Sequence, residues 1–203
     1  MAIFLIREPR CVFIHIPKTG GASIRHGVFK GNVDGPKQGF IPENWKSLYK
    51  FAFVRNPYDR VISAWKMFSE GMEQSVWDHP DDHVGIGLDR FLEIATDDSI
   101  PFDGRRKRTV EKIRHHAIPQ THPFNCLKQA DFVGHFESLS NDFAKVVQEI
   151  GLGDVELPHW NQTNRQTDFM SYFNESNQRI VEDFYRSDFE ELGYEIISQE
   201  TAD

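Results

Sequence analysis

Lys18 stands two residues ahead of the Gly20-Gly21 pair, in residues 17–21 (PKTGG), directly after the apolar run at 11–16 (CVFIHI). Glycines that follow a buried strand let backbone N–H groups turn inward around a phosphate, and the start of a following helix adds its positive dipole end. Lys18 adds a full charge at the same point. The order differs from that of a Walker P-loop, in which the lysine follows the glycines and precedes Ser or Thr. A second anion reader, Arg55, ends the apolar run at 51–54 (FAFV) and precedes Asn56-Pro57. A guanidinium there can grip a phosphate through two parallel hydrogen bonds, and Ser63, eight residues further on, offers a hydroxyl. Each feature also has an ordinary reading: a strand-to-helix turn, a surface helix serine. Together, at the carboxyl ends of two strands, they suit a nucleotide carrying two separate phosphate groups.

The elements that must position these residues follow from the pattern. The apolar, β-branched run at 11–16 predicts a buried strand, and Pro17 ends it. Residues 22–30 then allow a helix, with Ile24 and Val28 four apart. Residues 31–42, with three Gly and two Pro, read as a loop. The run at 51–54 predicts a second strand. Asn56 is a good N-cap and Pro57 suits the first helical position. Tyr58, Val61, Ile62, Trp65 and Phe68 share one face of the helix that follows, while Asp59, Arg60, Ser63 and Lys66 fall toward the other side. A short amphipathic helix is expected over 88–95, a third strand over 131–136, a helix from Leu139 to about Ile150, and a last helix over roughly 177–187. No repeat or linker breaks the chain, so residues 1–203 read as one domain. Strands alternating with helices predict an α/β fold, a parallel sheet flanked by helices, P-loop-like at its first turn.

Composition narrows the classes. Thirty-one Asp and Glu against 23 Lys and Arg give a net charge of −8, which excludes the broad basic field of a nucleic-acid binder. Any anion must be held by a local site. Seventeen Phe point to an aromatic core. Two cysteines, Cys11 and Cys126, form no disulfide framework and fit a reducing compartment. The first residues lack the basic start and long apolar core of a signal peptide, and no apolar stretch reaches the roughly 20 residues of a membrane span. A cytoplasmic protein is the expectation. On that expectation the Asn161-Gln-Thr163 and Asn174-Glu-Ser176 sequences carry no glycan.

Residues 15–25 (HIPKTGGASIR), followed by residues 51–65 (FAFVRNPYDRVISAW), resemble the sulfotransferases that use 3′-phosphoadenosine 5′-phosphosulfate (PAPS), in particular the branch acting on carbohydrates. Residues 116–120 (HAIPQ), 131–143 (DFVGHFESLSNDF), 157–163 (LPHWNQT) and 189–195 (FEELGYE) also resemble family stretches. The resemblance implies the sulfotransferase fold and transfer of a sulfuryl group from PAPS to a hydroxyl, with a carbohydrate acceptor. Lys18 would then stabilise charge on the oxygen bridging phosphate and sulfate. Thr19, Gly20, Gly21, Ala22 and Ser23 would hold the 5′-phosphate, and Arg55 and Ser63 the 3′-phosphate. No metal is required.

Relatives often carry a His in the loop ahead of Arg-Asn-Pro, where this chain has Lys37-Gln38-Gly39. His116 is the candidate general base, since an imidazole takes a proton near neutral pH; His26, His115 and His122 stay as alternatives. The nearby histidines lack the Cys or carboxylate spacing of a zinc set. The basic run at 105–108 reads as a solvated loop or a contact for an anionic glycan. Trp65 reads as core, while Trp77 and Trp160 are candidates to stack on a sugar. Two other classes compete. A P-loop kinase would need the lysine after the glycines and a metal-binding Asp at a strand end, whereas Asp131 precedes its strand. A non-catalytic relative would keep the nucleotide pocket and lose turnover.

Overall fold

Five strands form one sheet: β1 (Ala2–Ile6), β2 (Cys11–His15), β3 (Val33–Lys37), β4 (Lys50–Val54) and β5 (Phe132–His135), all but β3 built on short apolar runs. The computed structural model describes residues 2–70, 85–103, 108–153, 155–158 and 168–197. Among these, the helices are α1 (Pro57–Ser69), α2 (Leu88–Thr96), α3 (Thr109–Ala117), α4 (Leu139–Glu149), α5 (Glu175–Phe184) and α6 (Arg186–Leu192). The chain divides into two compact units, residues 1–55 with 120–163, and residues 56–119 with 164–203.

The first unit holds the sheet, in the order β3-β1-β2-β4-β5. The expected parallel arrangement is present where β4 lies between β2 and β5 and pairs in parallel with both. The sheet as a whole is mixed, because β1 runs antiparallel to β2 and to β3. Residues 2–6 and 11–15 form a hairpin, and residues 33–37, expected as loop, form the outer strand. The sequence of β3 (VDGPK) hides it: Gly and Pro weaken a strand pattern and are tolerated at an edge.

Phe4, Ile6, Phe13, Phe51, Phe53, Phe143 and Val146 pack with Ile24 into the core of this unit. Phe13 stacks on Phe51 at 5.0 Å between ring centroids, and phenylalanines of the strands and of α4 build much of this core. α4 is tied to β5 by Asp142. Its carboxylate accepts from the His135 N–H at 2.9 Å, the Ser138 hydroxyl at 2.6 Å and the Lys145 ammonium at 2.7 Å. Gly134 permits that approach, because a Cβ there would lie 2.5 Å from the Phe53 ring and 2.9 Å from the Asp142 Cβ.

The second unit is helical, with Tyr58, Ile62, Phe91, Leu92, Ile113, Val181, Tyr185 and Phe189 in its core. α1 starts as expected: the Asn56 side chain accepts from the Tyr58 N–H at 3.0 Å and Pro57 occupies the first turn. The expected polar face of α1 needs correction. Arg60 is 2% exposed and Ser63 4%. Arg60 is buried because its guanidinium donates to the carbonyls of His116 at 3.1 Å and Ile118 at 2.5 Å, capping the C-terminal end of α3. The Tyr185 hydroxyl donates to the Ala117 carbonyl at 2.5 Å and completes that cap.

Burial acts to raise the Asp142 pKa, but the His135 N–H, Lys145 and Ser138 outweigh it and bring the value from 3.8 down to about 2. A folded-state pKa below the unfolded one stabilises the fold above about pH 4, and this contribution disappears as pH falls toward 2. Asp142→Asn should cost on the order of 2 kcal/mol at neutral pH and flatten the acid limb of the stability profile. Denaturant titrations of both proteins between pH 2 and 7 check this; parallel acid limbs would contradict it.

Candidate functional site

β2, β4 and β5 all point their carboxyl ends the same way, and the chain leaves each through a different device. After β2, Ile16 and Pro17 lead into Lys18, whose φ of +72° is left-handed. That conformation costs a non-glycine residue on the order of 1 kcal/mol and is concentrated at functional sites. Gly20 follows with φ +83°. A Cβ on Gly20 would lie 2.6 Å from Leu139 at the start of α4, and one on Gly21 would lie 2.1 Å from the His15 ring. Both glycines therefore let the loop settle onto the sheet end. The Thr19 hydroxyl, expected on a phosphate, donates to the Ile16 carbonyl at 2.9 Å, and the residue is buried. Its side chain braces the loop from inside, which leaves the backbone for a ligand. Ala22 is half-buried and Ser23 is buried. The expected helix over 22–30 is a wide π turn, Ser23–Val28, in which the Phe29 N–H reaches the Ile24 carbonyl at 3.0 Å. π turns of this kind are frequent at functional sites.

After β4 comes Arg55, 3% exposed. Its Nη1 donates to the Lys18 carbonyl at 2.9 Å, and its guanidinium carbon lies 3.9 Å from the centre of the Phe136 ring just past β5. A cation over an aromatic face is held in plane without a counter-charge. The Arg55 peptide is held separately: its N–H donates to Gln120 Oε1 at 2.9 Å, and Gln120 Nε2 donates back to the Arg55 carbonyl at 2.8 Å. Lys18 and Arg55 are thus joined at the ends of neighbouring parallel strands. The Lys18 ammonium is pushed down from 10.5 to about 8, first by burial and second by the Arg55 charge. Two cations confined in this way favour an anion between them.

The structure brings together Lys18, Thr19, Gly20, Gly21, Ala22, Ser23 and Arg55 in the first unit. Ser63, buried on α1, and His116, on α3, belong to the second. His116 is half-buried with Nδ1 2.8 Å from the Lys112 carbonyl, so Nδ1 carries the proton and the basic lone pair of the neutral ring is on Nε2. His115 Nδ1 lies 2.8 Å from the Phe102 carbonyl, and His122 Nδ1 accepts from the Phe124 N–H at 3.2 Å. His26 is exposed, and burial followed by the Arg25 charge lowers its pKa. Among the described residues no group of three or more His, Cys, Asp or Glu is placed to hold a metal, and no helix is long and apolar enough to cross a membrane. Trp65 is half-buried and donates to the Ile86 carbonyl at 2.7 Å. Trp77, Trp160, residues 105–107 and Asn161 to Thr163 lie outside the described residues. Sequence reasoning missed roles for Phe136 and Gln120. Gln120 is 65 positions from its partner, and no local pattern marks such a pairing.

A glycine turn carrying Lys18 after one parallel strand, with Arg55 at the end of the neighbouring strand, gives this α/β protein a basic sheet edge. The model of a family described as the sulfotransferase family matches residues 22–195, and the chain belongs to that family. The match begins just after residues 18–21, so the reading of that loop rests on its own geometry. Mouse (Mus musculus) carbohydrate sulfotransferase 11 is similar to it, 26% identical over 193 residues, covering 81% of this chain and 53% of the relative. The chain therefore spans about half the length of this curated relative. No solved structure matches it significantly.

The Lys18 environment makes a measurable statement. Its folded-state pKa lies below the unfolded one, so Lys18 costs stability below about pH 8, and the cost fades as pH rises toward 10.5. Modification by an amine-reactive reagent, followed residue by residue with mass spectrometry, should show a Lys18 midpoint near pH 8. Arg55→Ala should move that midpoint upward. A midpoint near 10.5 in the unaltered protein would contradict the assigned environment.

Proposed function

We propose that this chain transfers the sulfuryl group of PAPS to a hydroxyl of a carbohydrate acceptor, releasing 3′-phosphoadenosine 5′-phosphate. The observation that carries the reading is the link between Lys18 and Arg55 at the ends of β2 and β4. It fits a nucleotide with phosphates at two separate positions. The carbohydrate acceptor rests on the name of the mouse relative, carbohydrate sulfotransferase 11.

The residues present fit such a donor. Gly20 and Gly21 let the loop lie against Leu139 and His15 at the sheet end, and the loop backbone from Thr19 to Ser23 takes the 5′-phosphate. Lys18 stabilises the negative charge that develops on the bridging oxygen as the sulfur–oxygen bond breaks. Arg55 takes the 3′-phosphate through its guanidinium, with the Ser63 hydroxyl assigned to the same group. His116 removes the proton of the attacking hydroxyl through Nε2. Most of the rate comes from holding the acceptor in line and from charge stabilisation, with no metal-dependent step. Against a kinase reading, Asp131 sits ahead of β5 and accepts the Lys50 N–H at 2.8 Å, away from the strand end where a magnesium ligand would be needed.

Arg55→Ala should weaken binding of 3′-phosphoadenosine 5′-phosphate about tenfold to a hundredfold, the worth of charge-assisted hydrogen bonds, and that of adenosine 5′-monophosphate less, since the latter loses only the support of the Lys18 carbonyl. Isothermal titration of both nucleotides checks this, and an unchanged preference for the 3′-phosphate would remove Arg55 from the assignment. Lys18→Ala should lower kcat far more than nucleotide affinity, because its partner charge exists only in the transition state. His116→Ala should lower kcat by about 10²–10⁴-fold with nucleotide affinity intact. Full turnover in that variant would move the base to another residue, and binding without transfer to any hydroxyl in the unaltered protein would favour a non-catalytic relative.

A further inference from the structure

At Val54 the sheet ladder runs out. β4 pairs with β2 only through Ala52 and with β5 only through Val54, opposite His135. Arg55 is the next residue, and its buried N–H and carbonyl have no strand beside them to complete the ladder. The Gln120 side chain supplies the missing peptide group. Its amide oxygen accepts from the Arg55 N–H at 2.9 Å and its amide nitrogen donates to the Arg55 carbonyl at 2.8 Å. This is the pair of bonds that one residue of an antiparallel neighbour would make, delivered here by one carboxamide. Gln120 is 0% exposed and is anchored in turn, since Asn125 Nδ2 donates to its backbone carbonyl at 2.9 Å.

We infer that Gln120 is a positioning residue for anion recognition, holding the Arg55 backbone so that its guanidinium meets the 3′-phosphate. The inference rests on the PAPS reading. The guanidinium is restrained at its tip by the Lys18 carbonyl and in its plane by Phe136. Neither contact fixes the Cα from which the side chain starts, and that position is set by the carboxamide. Misplacement of a binding group by about 1 Å is enough to cost a large part of its contribution. The clamp also links the two donor-binding pieces, because the Lys18 carbonyl is oriented by the same guanidinium. Losing Gln120 therefore loosens the phosphate loop at its left-handed residue as well.

The test is isothermal titration with 3′-phosphoadenosine 5′-phosphate and adenosine 5′-monophosphate. In Gln120→Met, which keeps the length and removes both hydrogen bonds, the preference for the 3′-phosphorylated nucleotide should fall about tenfold, equivalent to about 1.4 kcal/mol. A merely structural role would lower the melting temperature and leave that ratio unchanged. Gln120→Glu gives a second reading if Gln120→Met does not fold. Its carboxylate can accept from the Arg55 N–H but repels the Arg55 carbonyl, whereas its protonated form is a near-isostere of the amide and donates. The preference, measured against the unaltered protein at each pH, should recover as pH falls and the introduced carboxyl protonates. A full preference in folded Gln120→Met, or a pH-independent deficit in Gln120→Glu, overturns the inference and leaves the PAPS reading standing. Absence of any 3′-phosphate preference in the unaltered protein overturns that reading, and this inference with it.

Discussion

One hydrogen bond, 2.9 Å from Arg55 Nη1 to the Lys18 carbonyl, organises the sheet edge. It joins the turn that follows β2 to the first residue after β4. The carbonyl it reaches belongs to a residue with a left-handed φ of +72°. The consequence is electrostatic. Burial, and after it the nearby Arg55 charge, disfavour the charged form of Lys18 and bring its pKa down to about 8. Gly20 and Gly21 belong to the same constraint, since side chains there would run into Leu139 and His15 and lift the loop off the strand end.

The second unit presents different physics. Its helices pack around Tyr58, Phe91, Ile113, Tyr185 and Phe189, and its buried charge is spent internally: Arg60 closes the end of α3, and the Arg114 Nη1 donates to the Ala95 carbonyl at 2.9 Å at the end of α2. Capping by buried arginine makes short helices such as these hold definite ends. The end of α3 is also where His116 sits, with its tautomer set by the Lys112 carbonyl. A helix terminus fixed by Arg60 and Tyr185 therefore determines where that imidazole is presented.

Much of this was legible in the sequence because the deciding forces were local. The strand runs 11–16 and 51–54, the Asn56-Pro57 helix start and the Phe143, Val146, Val147 stripe follow from periodicity and capping, which act within a few residues. The placement of Lys18 and Arg55 at strand ends was legible because each follows closely on an apolar run. What stayed hidden depends on distant partners. The edge strand β3 carries Gly35 and Pro36 in place of a clean alternation. Arg60 reads as surface by helix phase and is buried because three carbonyls across the unit accept it. Gln120 belongs to a motif that the family resemblance marks, but its pairing with the Arg55 peptide spans 65 residues and leaves no trace in spacing. The Thr19 hydroxyl is engaged locally instead, by the Ile16 carbonyl three residues before it.

The central claim is that the β2–β4 edge holds a nucleotide with two separate phosphates without metal, and calorimetry of the unaltered protein tests it most directly. Titration with 3′-phosphoadenosine 5′-phosphate in the presence of a chelator should show one-to-one binding. In buffers of differing ionisation enthalpy near pH 8, the same titration should show proton uptake as Lys18 regains its charge beside the anion. Binding of ATP with Mg²⁺ in its place, or no binding of the bisphosphate nucleotide at all, would contradict the account.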